Sequence, residues 1–460
     1  PELQVSRIFL DAYLQEKAAS GESYPAAKEK LLNLIKSGAL LINFTGHGST
    51  EGWTSEKIFT RNDIVKLYND KFPLFVTATC DFSRFDDKAS SSGEELFWNS
   101  NGGAIALFST SRTVYTGPNF ELNKSFNKQV FITQNEDASA RRLGDISRIS
   151  KNSLPNNNNK MNFLLLGNPA LRIPYPSNKV ITSEIKVNGV LSSTIQALSL
   201  VEINGYIASS NQNKLTDFNG NISVTVYDKE QSITTLANNG GIPYTYKDYP
   251  NILYSGKAVV ANGDFSIQFL VPKDIAYNYG NGRINYYAAD ETNDYEANGF
   301  YTNFLIGGEN PEFVIEDDGP EITMYLNTPA FVSGDKVNEN PVFMANVSDE
   351  SGINTVGSGI GHDIILMLNQ DPMTSCVLNN YFEFSIGSYK SGSVTYPLYN
   401  LPEGKHSLYF RVWDVLNNSS SKTIDFEVVK GLPPELYKTS VFPNPVQTSA
   451  RIMVSHDRPL

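Results

Sequence analysis

The sequence predicts an α/β domain built on a largely parallel sheet, followed by all-β domains of the sandwich type. Two observations carry that prediction. Up to about residue 174, short and continuously apolar runs alternate with helical patterns, the order that layers helices against a parallel sheet. From "IPYPSN" (173–178) onward, alternating strands such as "NISVTVYD", "DFSIQFLV", "HSLYFRVWD" and "TIDFEVV" are separated by turn signals such as "NGN", "NGD" and "GNG".

The elements of the first part follow in order. "YPAAKEKLLNLIKSG" (24–38) places Ala27, Leu31, Leu34 and Ile35 on one helical face, with Gly38 as the C-cap. "ALLINF" (39–44) reads as a strand covered on both faces, "NDIVKLYND" (62–70) as a helix and "PLFVTA" (73–78) as a second buried strand. "SGEELFWNSN" (92–101) reads as a helix ended by Gly102 and Gly103, "AIALFS" (104–109) as a third strand, and "LGDISRISKN" (143–152) as another helix. An Asn-rich loop at 156–159 then leads into the strand "MNFLLLG". The Gly-, Pro- and acid-rich stretch "IGGENPEFVIEDDGPEI" (306–322) divides the β region, and "VFPNP" (441–445) opens something new. The predicted domains are therefore 1–174, 175–309, 310–432 and 433–460.

Composition narrows the function classes. A chain of 460 residues holds more than one core, and 40% hydrophobic with 12% aromatic content fits folded domains. A formal charge of −12 without a basic run argues against nucleic acid or an anionic membrane surface as partner. No apolar run approaches the roughly 18–20 residues of a transmembrane helix. Pro1 is neither an initiator Met nor the start of a signal peptide, so the chain reads as a piece of a longer protein with its address upstream. Two cysteines, Cys80 and Cys376, do not make a disulfide scaffold.

The chemistry gathers at "LLINFTGHGSTEGW" (40–53) and "LFVTATCDF" (74–82). His47 and Cys80 each follow the carboxyl end of an apolar strand, where open α/β sheets place their functional groups. If the two strands are neighbours, imidazole and thiol reach the same sheet edge. A thiolate favoured by a nearby imidazole is a strong nucleophile, and the imidazolium can protonate a leaving amine. Gly46 and Gly48 permit backbone angles closed to other residues, and the N–H groups of Gly48 and Cys80 could face a developing oxyanion. Taken singly, a strand-end Cys is more commonly a small core residue, and a His between glycines a turn residue. Metal chemistry is disfavoured, because neither H-E-x-x-H nor C-x-x-C occurs and His362, His406 and His456 lie in the β region or tail.

"NFTGHGS…W", "FVTATCDFSRFDD", "NGGAIALFSTSR" and "FLLLGNPALRI", in that order, resemble the gingipain-type cysteine peptidases of the caspase-like clan. Within that family they look most like the surface sortases of the type IX secretion system of Bacteroidetes. The resemblance covers residues 1–174. It implies an N-terminally truncated caspase-like α/β domain followed by immunoglobulin-like sandwich domains. It makes His47 the catalytic histidine, Cys80 the nucleophile, Gly48 with Cys80 the oxyanion hole, and Phe82 to Asp87, including Ser83 and Arg84, the lining of the substrate cleft. "VFPNP" resembles the opening of the C-terminal sorting module of proteins exported by that system. The resemblance further implies an outer-membrane, cell-surface location with a signal peptide upstream. Its partners would be exported proteins bearing sorting modules, a surface glycolipid (lipopolysaccharide) amine as acceptor, and other outer-membrane proteins of the system. Any acidic residue orienting His47 would precede residue 1.

Other residues carry plainer readings. Trp53 is either a shield over the site or a packing residue. Glu94 and Glu95 suit a helix N-terminus. Arg84, Asp86 and Asp87 read as a solvated loop as readily as substrate contacts. No cofactor is required; "EDDGPE" (316–321) could hold Ca²⁺ but reads better as an acidic linker. Cys376 reads as a packed thiol. Two rival functions stand beside the sortase: a secreted gingipain-like endopeptidase that only hydrolyses, and a non-enzymic surface-binding protein that works through its β domains.

Overall fold

The computed structural model describes residues 3–19, 21–132, 141–313, 316–355, 361–432, 436–442 and 451–456. They fall into two compact units. One comprises Ser6–Tyr175 with Ser232–Tyr246, the other Pro1–Val5, Pro176–Gln231 and Lys247–Leu460.

The first unit is built on a four-stranded sheet of β1 (Leu41–Thr45), β2 (Leu74–Ala78), β3 (Ala106–Thr110) and β4 (Phe163–Leu166), in that spatial order. The first three strands run parallel, and β4 runs antiparallel to β3. Every residue of β2 and β3 is buried, Thr77 bonding Ser109 between them, whereas β1, expected to be covered on both faces, is an edge strand with no buried residue. Helix α1 (Pro25–Ser37) carries Pro at its first turn, buries Ala27, Leu31 and Ile35, and ends at Gly38 with φ 97°. One face of the sheet packs this helix with Trp53, Phe59, Phe75, Phe82 and Leu96. The other packs Val76, Ala78 and Phe108 against Leu122, Phe126 and Ile146.

Three helices differ from the sequence reading, the shortest being Asn158–Met161, capped by Asn157, in the stretch expected to be an Asn-rich loop. The helix expected at 62–70 is α2 (Arg61–Val65), started by a Thr60–Asp63 capping box and stopped early. Buried Asn69 explains the stop: its side chain donates to the carbonyls of Lys71 (2.7 Å) and Gly103 (3.3 Å) and accepts from the Gly103 N–H (2.8 Å). Those bonds hold the chain out of helix. Helix α3 (Ser92–Trp98) follows, with its own Ser91–Glu94 capping box. Helix α4 (Thr116–Val130) was not expected at all, and it packs beside α5 (Leu143–Asn152).

The second unit begins with a barrel rather than the sandwich expected at 175–309. Its eight-stranded sheet closes because Asn178–Val187 also pairs, in parallel, with Tyr295–Tyr301. Alternating burial along strands such as Leu200–Ala208 is common to sandwich and barrel, so the sequence pattern cannot distinguish them. Residues 321–428 form a four-stranded and a five-stranded sheet around one shared core. Leu436–Phe442 and Arg451–His456 pair as an antiparallel hairpin, and the Pro-Asn-Pro of "VFPNP" lies outside the described residues. No helix among the described residues is long and apolar enough to cross a membrane.

Asp414 organises a turn in this last domain. Its fully buried carboxylate accepts from the N–H groups of Leu416 (3.0 Å) and Asn418 (2.6 Å) and from Asn418 Nδ2 (2.8 Å). Burial pushes its pKa from 3.8 up to about 7, and burial raises Asp349 as well. The folded state therefore keeps a proton on Asp414 that the unfolded chain has lost. The stability this confers is complete below about pH 4 and is lost as pH rises through about 7. We predict that the stability of the intact chain relative to Asp414→Asn falls by roughly 2–4 kcal/mol from pH 4 to pH 8. Urea unfolding followed by Trp413 fluorescence measures it; a pH-independent difference would show that Asp414 does not titrate in this way.

Candidate active site

The register of β1 on β2 sets the geometry. Thr45 pairs with Ala78 at the carboxyl ends of the two parallel strands, so His47 and Cys80, each two residues further, leave the sheet at the same level. The Gly46 N–H donates to the Ala78 carbonyl at 3.3 Å, carrying the pairing one residue beyond the strand. His47 is exposed and Cys80 half-buried. The structure thus brings to one edge the two residues singled out from the sequence.

Each loop is fixed from outside. After His47 the chain makes a short hairpin in which Gly48 faces Trp53, and the Thr54 N–H donates to the His47 carbonyl at 2.9 Å. Neither Gly46 nor Gly48 adopts a positive φ, so the expectation of special backbone angles does not hold. Gly48 is required by space instead. A Cβ there would collide with Thr79 Oγ1 and come within 3.0 Å of the Gly52 carbonyl oxygen. The loop carrying His47 therefore lies against the residue that precedes Cys80.

Directly after Cys80, Asp81 is left-handed at φ 53°. Its N–H donates to the Arg112 carbonyl (3.4 Å), its carboxylate accepts from Thr113 Oγ1 (3.0 Å), and the Ser83 N–H reaches the Thr110 carbonyl (2.8 Å). The sharp turn brings Cys80 Sγ to Val114, whose N–H donates to it at 3.5 Å and whose carbonyl lies 3.6 Å away. Arg112 holds Asp86 in a two-point pair at 2.9 and 2.5 Å, and that hydrogen bonding keeps the Asp86 carboxyl below its usual range. The start of α3 joins both loops: Ser92 N–H donates to the Thr50 carbonyl and Gly93 N–H to the Phe82 carbonyl, each at 2.7 Å.

The residues expected to line a cleft divide. Trp53, Phe82 and Ser83 are buried, so their side chains offer no surface to a substrate. Trp53 stacks on Phe44 with centroids 4.3 Å apart, and Phe82 packs beside it, because the chain after Cys80 turns back into the core. Arg84 is exposed, with Nε 3.6 Å from Asp87, and Phe85, Asp86 and Asp87 are exposed with it. Glu94 is spent on its helix cap, and Glu95 pairs with Arg61 at 2.6 Å. Of "EDDGPE", Glu316 brings a carboxylate oxygen within 4.8 Å of those of Asp349 and Asp414, two residues the sequence reading passed over. Cys376 sits half-buried beside Tyr396, whose hydroxyl lies 3.7 Å from its sulfur.

Chemically, the edge presents a half-buried thiol in contact with a backbone N–H and an exposed imidazole level with it. That is the equipment for attack on an acyl carbon followed by proton transfer to a leaving group. Residues 1–174, the segment that holds both groups, match the model of peptidase family C25. This segment belongs to that cysteine-peptidase family. No curated protein matches the chain. Among solved structures, it is similar to dimeric latent PorU from Porphyromonas gingivalis, with 31% identity over 97% of this chain and 40% of that one, at a TM-score of 0.38. It is also similar to the complex of the pro- and mature domains of Porphyromonas gingivalis RgpB, with 15% identity over 61% of this chain and 57% of that one, at a TM-score of 0.30. The chain thus spans 40% of the length of the PorU chain.

Close packing at Gly48 of the C25 segment gives a direct test. Gly48→Ala should destabilise the intact chain by roughly 1–3 kcal/mol in urea unfolding, by displacing Thr79. Gly48→Ala with Thr79→Ala, which removes the colliding side chain, should recover part of the loss. A Gly48→Ala chain as stable as the intact one, or no recovery in the double variant, would contradict this coupling of the two loops.

Proposed function

We propose that the chain is part of a surface cysteine peptidase that removes the C-terminal sorting module from exported proteins through a thioester on Cys80. It then passes the acyl group to an amine of a surface glycolipid. The observation that carries the peptidase chemistry is the level exit of His47 and Cys80 from paired parallel strands within a C25 segment. The sorting-module substrate, the glycolipid acceptor, the other secretion-system proteins as partners and the outer-membrane, cell-surface location rest on the sequence resemblance, including "VFPNP". So do the caspase-like assignment of the first unit and the immunoglobulin-like assignment of the 310–432 domain.

In this reading His47 takes the thiol proton, and Cys80 Sγ⁻ attacks the carbonyl carbon of the scissile bond. The Cys80 N–H, with that of Gly48, stabilises the tetrahedral oxyanion. The C–N bond then breaks, and the imidazolium gives its proton to the departing amine, which is the new N-terminus of the sorting module. An acceptor amine next loses a proton to His47 and attacks the thioester, forming an amide and regenerating the thiolate. Water in place of the amine gives hydrolysis. No metal takes part in these steps.

The test uses the full-length protein, intact and as Cys80→Ala, with an exported protein bearing a Pro-Asn-Pro sorting module and with or without an added amine. Mass spectrometry of the new C-terminus should find the amine joined to it, and Cys80→Ala should make no product. A free carboxylate alone at high amine would replace transfer by hydrolysis. No cleavage by the intact protein would overturn the peptidase reading.

A further inference from the structure

Helix α4 presents an asparagine at every fourth position, Asn119, Asn123 and Asn127, on the side that meets the sheet. Asn119 and Asn123 are each only 6% exposed. Asn119 Nδ2 donates to the Ala78 carbonyl at 2.8 Å, the same oxygen that accepts from the Gly46 N–H. One turn on, Asn123 Nδ2 donates to Thr45 Oγ1 at 2.6 Å. Asn127 Nδ2 lies 2.9 Å from Asn123 Oδ1 and 3.3 Å from Asn43 Oδ1, which extends the row along β1. The helix therefore grips the last residue of each strand, two residues short of His47 and of Cys80. Its N-terminal approach supplies Val114, the residue in contact with Cys80 Sγ.

We propose that Asn119, supported by Asn123, is a positioning residue for the reaction. It holds the Cys80 strand end level with the His47 loop at the Ala78 carbonyl. The inference rests on the peptidase reading of His47 and Cys80. Packing alone does not ask for asparagine here. Leu122, Phe126 and Val130 already bury the helix against the sheet, and a leucine at 119 would add to that core. Asn119 Oδ1 is buried without a hydrogen-bond partner among the described residues, which makes the amide costly to keep. What the amide provides is a second donor on the Ala78 carbonyl, directly beneath both reacting groups. A shift of about 1 Å between such groups costs on the order of 100-fold in rate.

The experiment compares intact protein with Asn119→Leu, Asn119→Asp, Leu122→Ala and Cys80→Ala, reading melting temperature and the kcat and KM for cleavage of a protein bearing a Pro-Asn-Pro sorting module. Asn119→Leu should melt within a few degrees of the intact protein, with kcat ~10–100-fold lower and KM nearly unchanged. Leu122→Ala should melt lower and keep its kcat. Asn119→Asp should be impaired at pH 8 and recover relative to intact protein towards pH 6. There the buried carboxyl takes up a proton and can again donate to Ala78. If Asn119→Leu keeps kcat, or loses kcat only in step with melting as Leu122→Ala does, or if Asn119→Asp shows no recovery at low pH, the positioning role is overturned. If Cys80→Ala cleaves as well as the intact protein, it is the peptidase reading that fails.

Discussion

One pairing governs the site: Thr45 against Ala78 at the ends of two parallel strands. Because side chains alternate along a strand, a slip of one residue would turn a whole strand over and separate the two exits. The Ala78 carbonyl is where the pairing is enforced beyond the sheet, since it accepts from the His47 loop and from helix α4 together. The lack of room for a Cβ at Gly48 and the two N–H bonds from the start of α3 then tie the loops to each other. Neither reacting group can move far alone.

The fixing bonds are mostly neutral. Asparagine amides donate to the Ala78 carbonyl and to Thr45 Oγ1, and the Thr110 hydroxyl to the Thr79 carbonyl, while the charged pair Arg112–Asp86 lies out on the surface. Exposed pairs of this kind add little stability and weaken in salt. Neutral bonds keep their geometry while a neighbouring imidazole gains or loses a proton. In the proposed mechanism, where His47 takes and gives a proton, the strand ends are held by groups that do not titrate with it.

His47 and Cys80 were legible because glycine-flanked histidine and strand-end cysteine interrupt apolar runs that packing alone would continue. The buried strands were legible for the related reason that β2 and β3, covered on both faces, have no polar side. Helix α4 was hidden by its own function: Asn119 and Asn123 occupy buried positions, so polar residues break the apolar stripe that would announce a helix. A four-residue spacing of asparagines was the available signal. The barrel was illegible because closure depends on pairing between strands far apart in sequence, Asn178–Val187 with Tyr295–Tyr301. The unit boundary was missed at Ser232–Tyr246, a segment of the β region that joins the first unit. There the Asp11 carboxylate accepts from the N–H groups of Ala237 (2.9 Å) and Asn238 (2.8 Å). Nothing in local periodicity reports a contact between residues so distant along the chain.

The central claim is that His47 and Cys80 act as a pair, and the pH dependence of Cys80 alkylation by iodoacetamide tests it most directly. Intact protein and His47→Ala are compared, with Cys376 of the same chain as internal reference. The account predicts that Cys80 reacts faster in the intact protein than in His47→Ala across the neutral pH range. Cys376 should be unchanged in both. Identical Cys80 profiles with and without the imidazole would contradict the pairing on which the structure's functional reading depends.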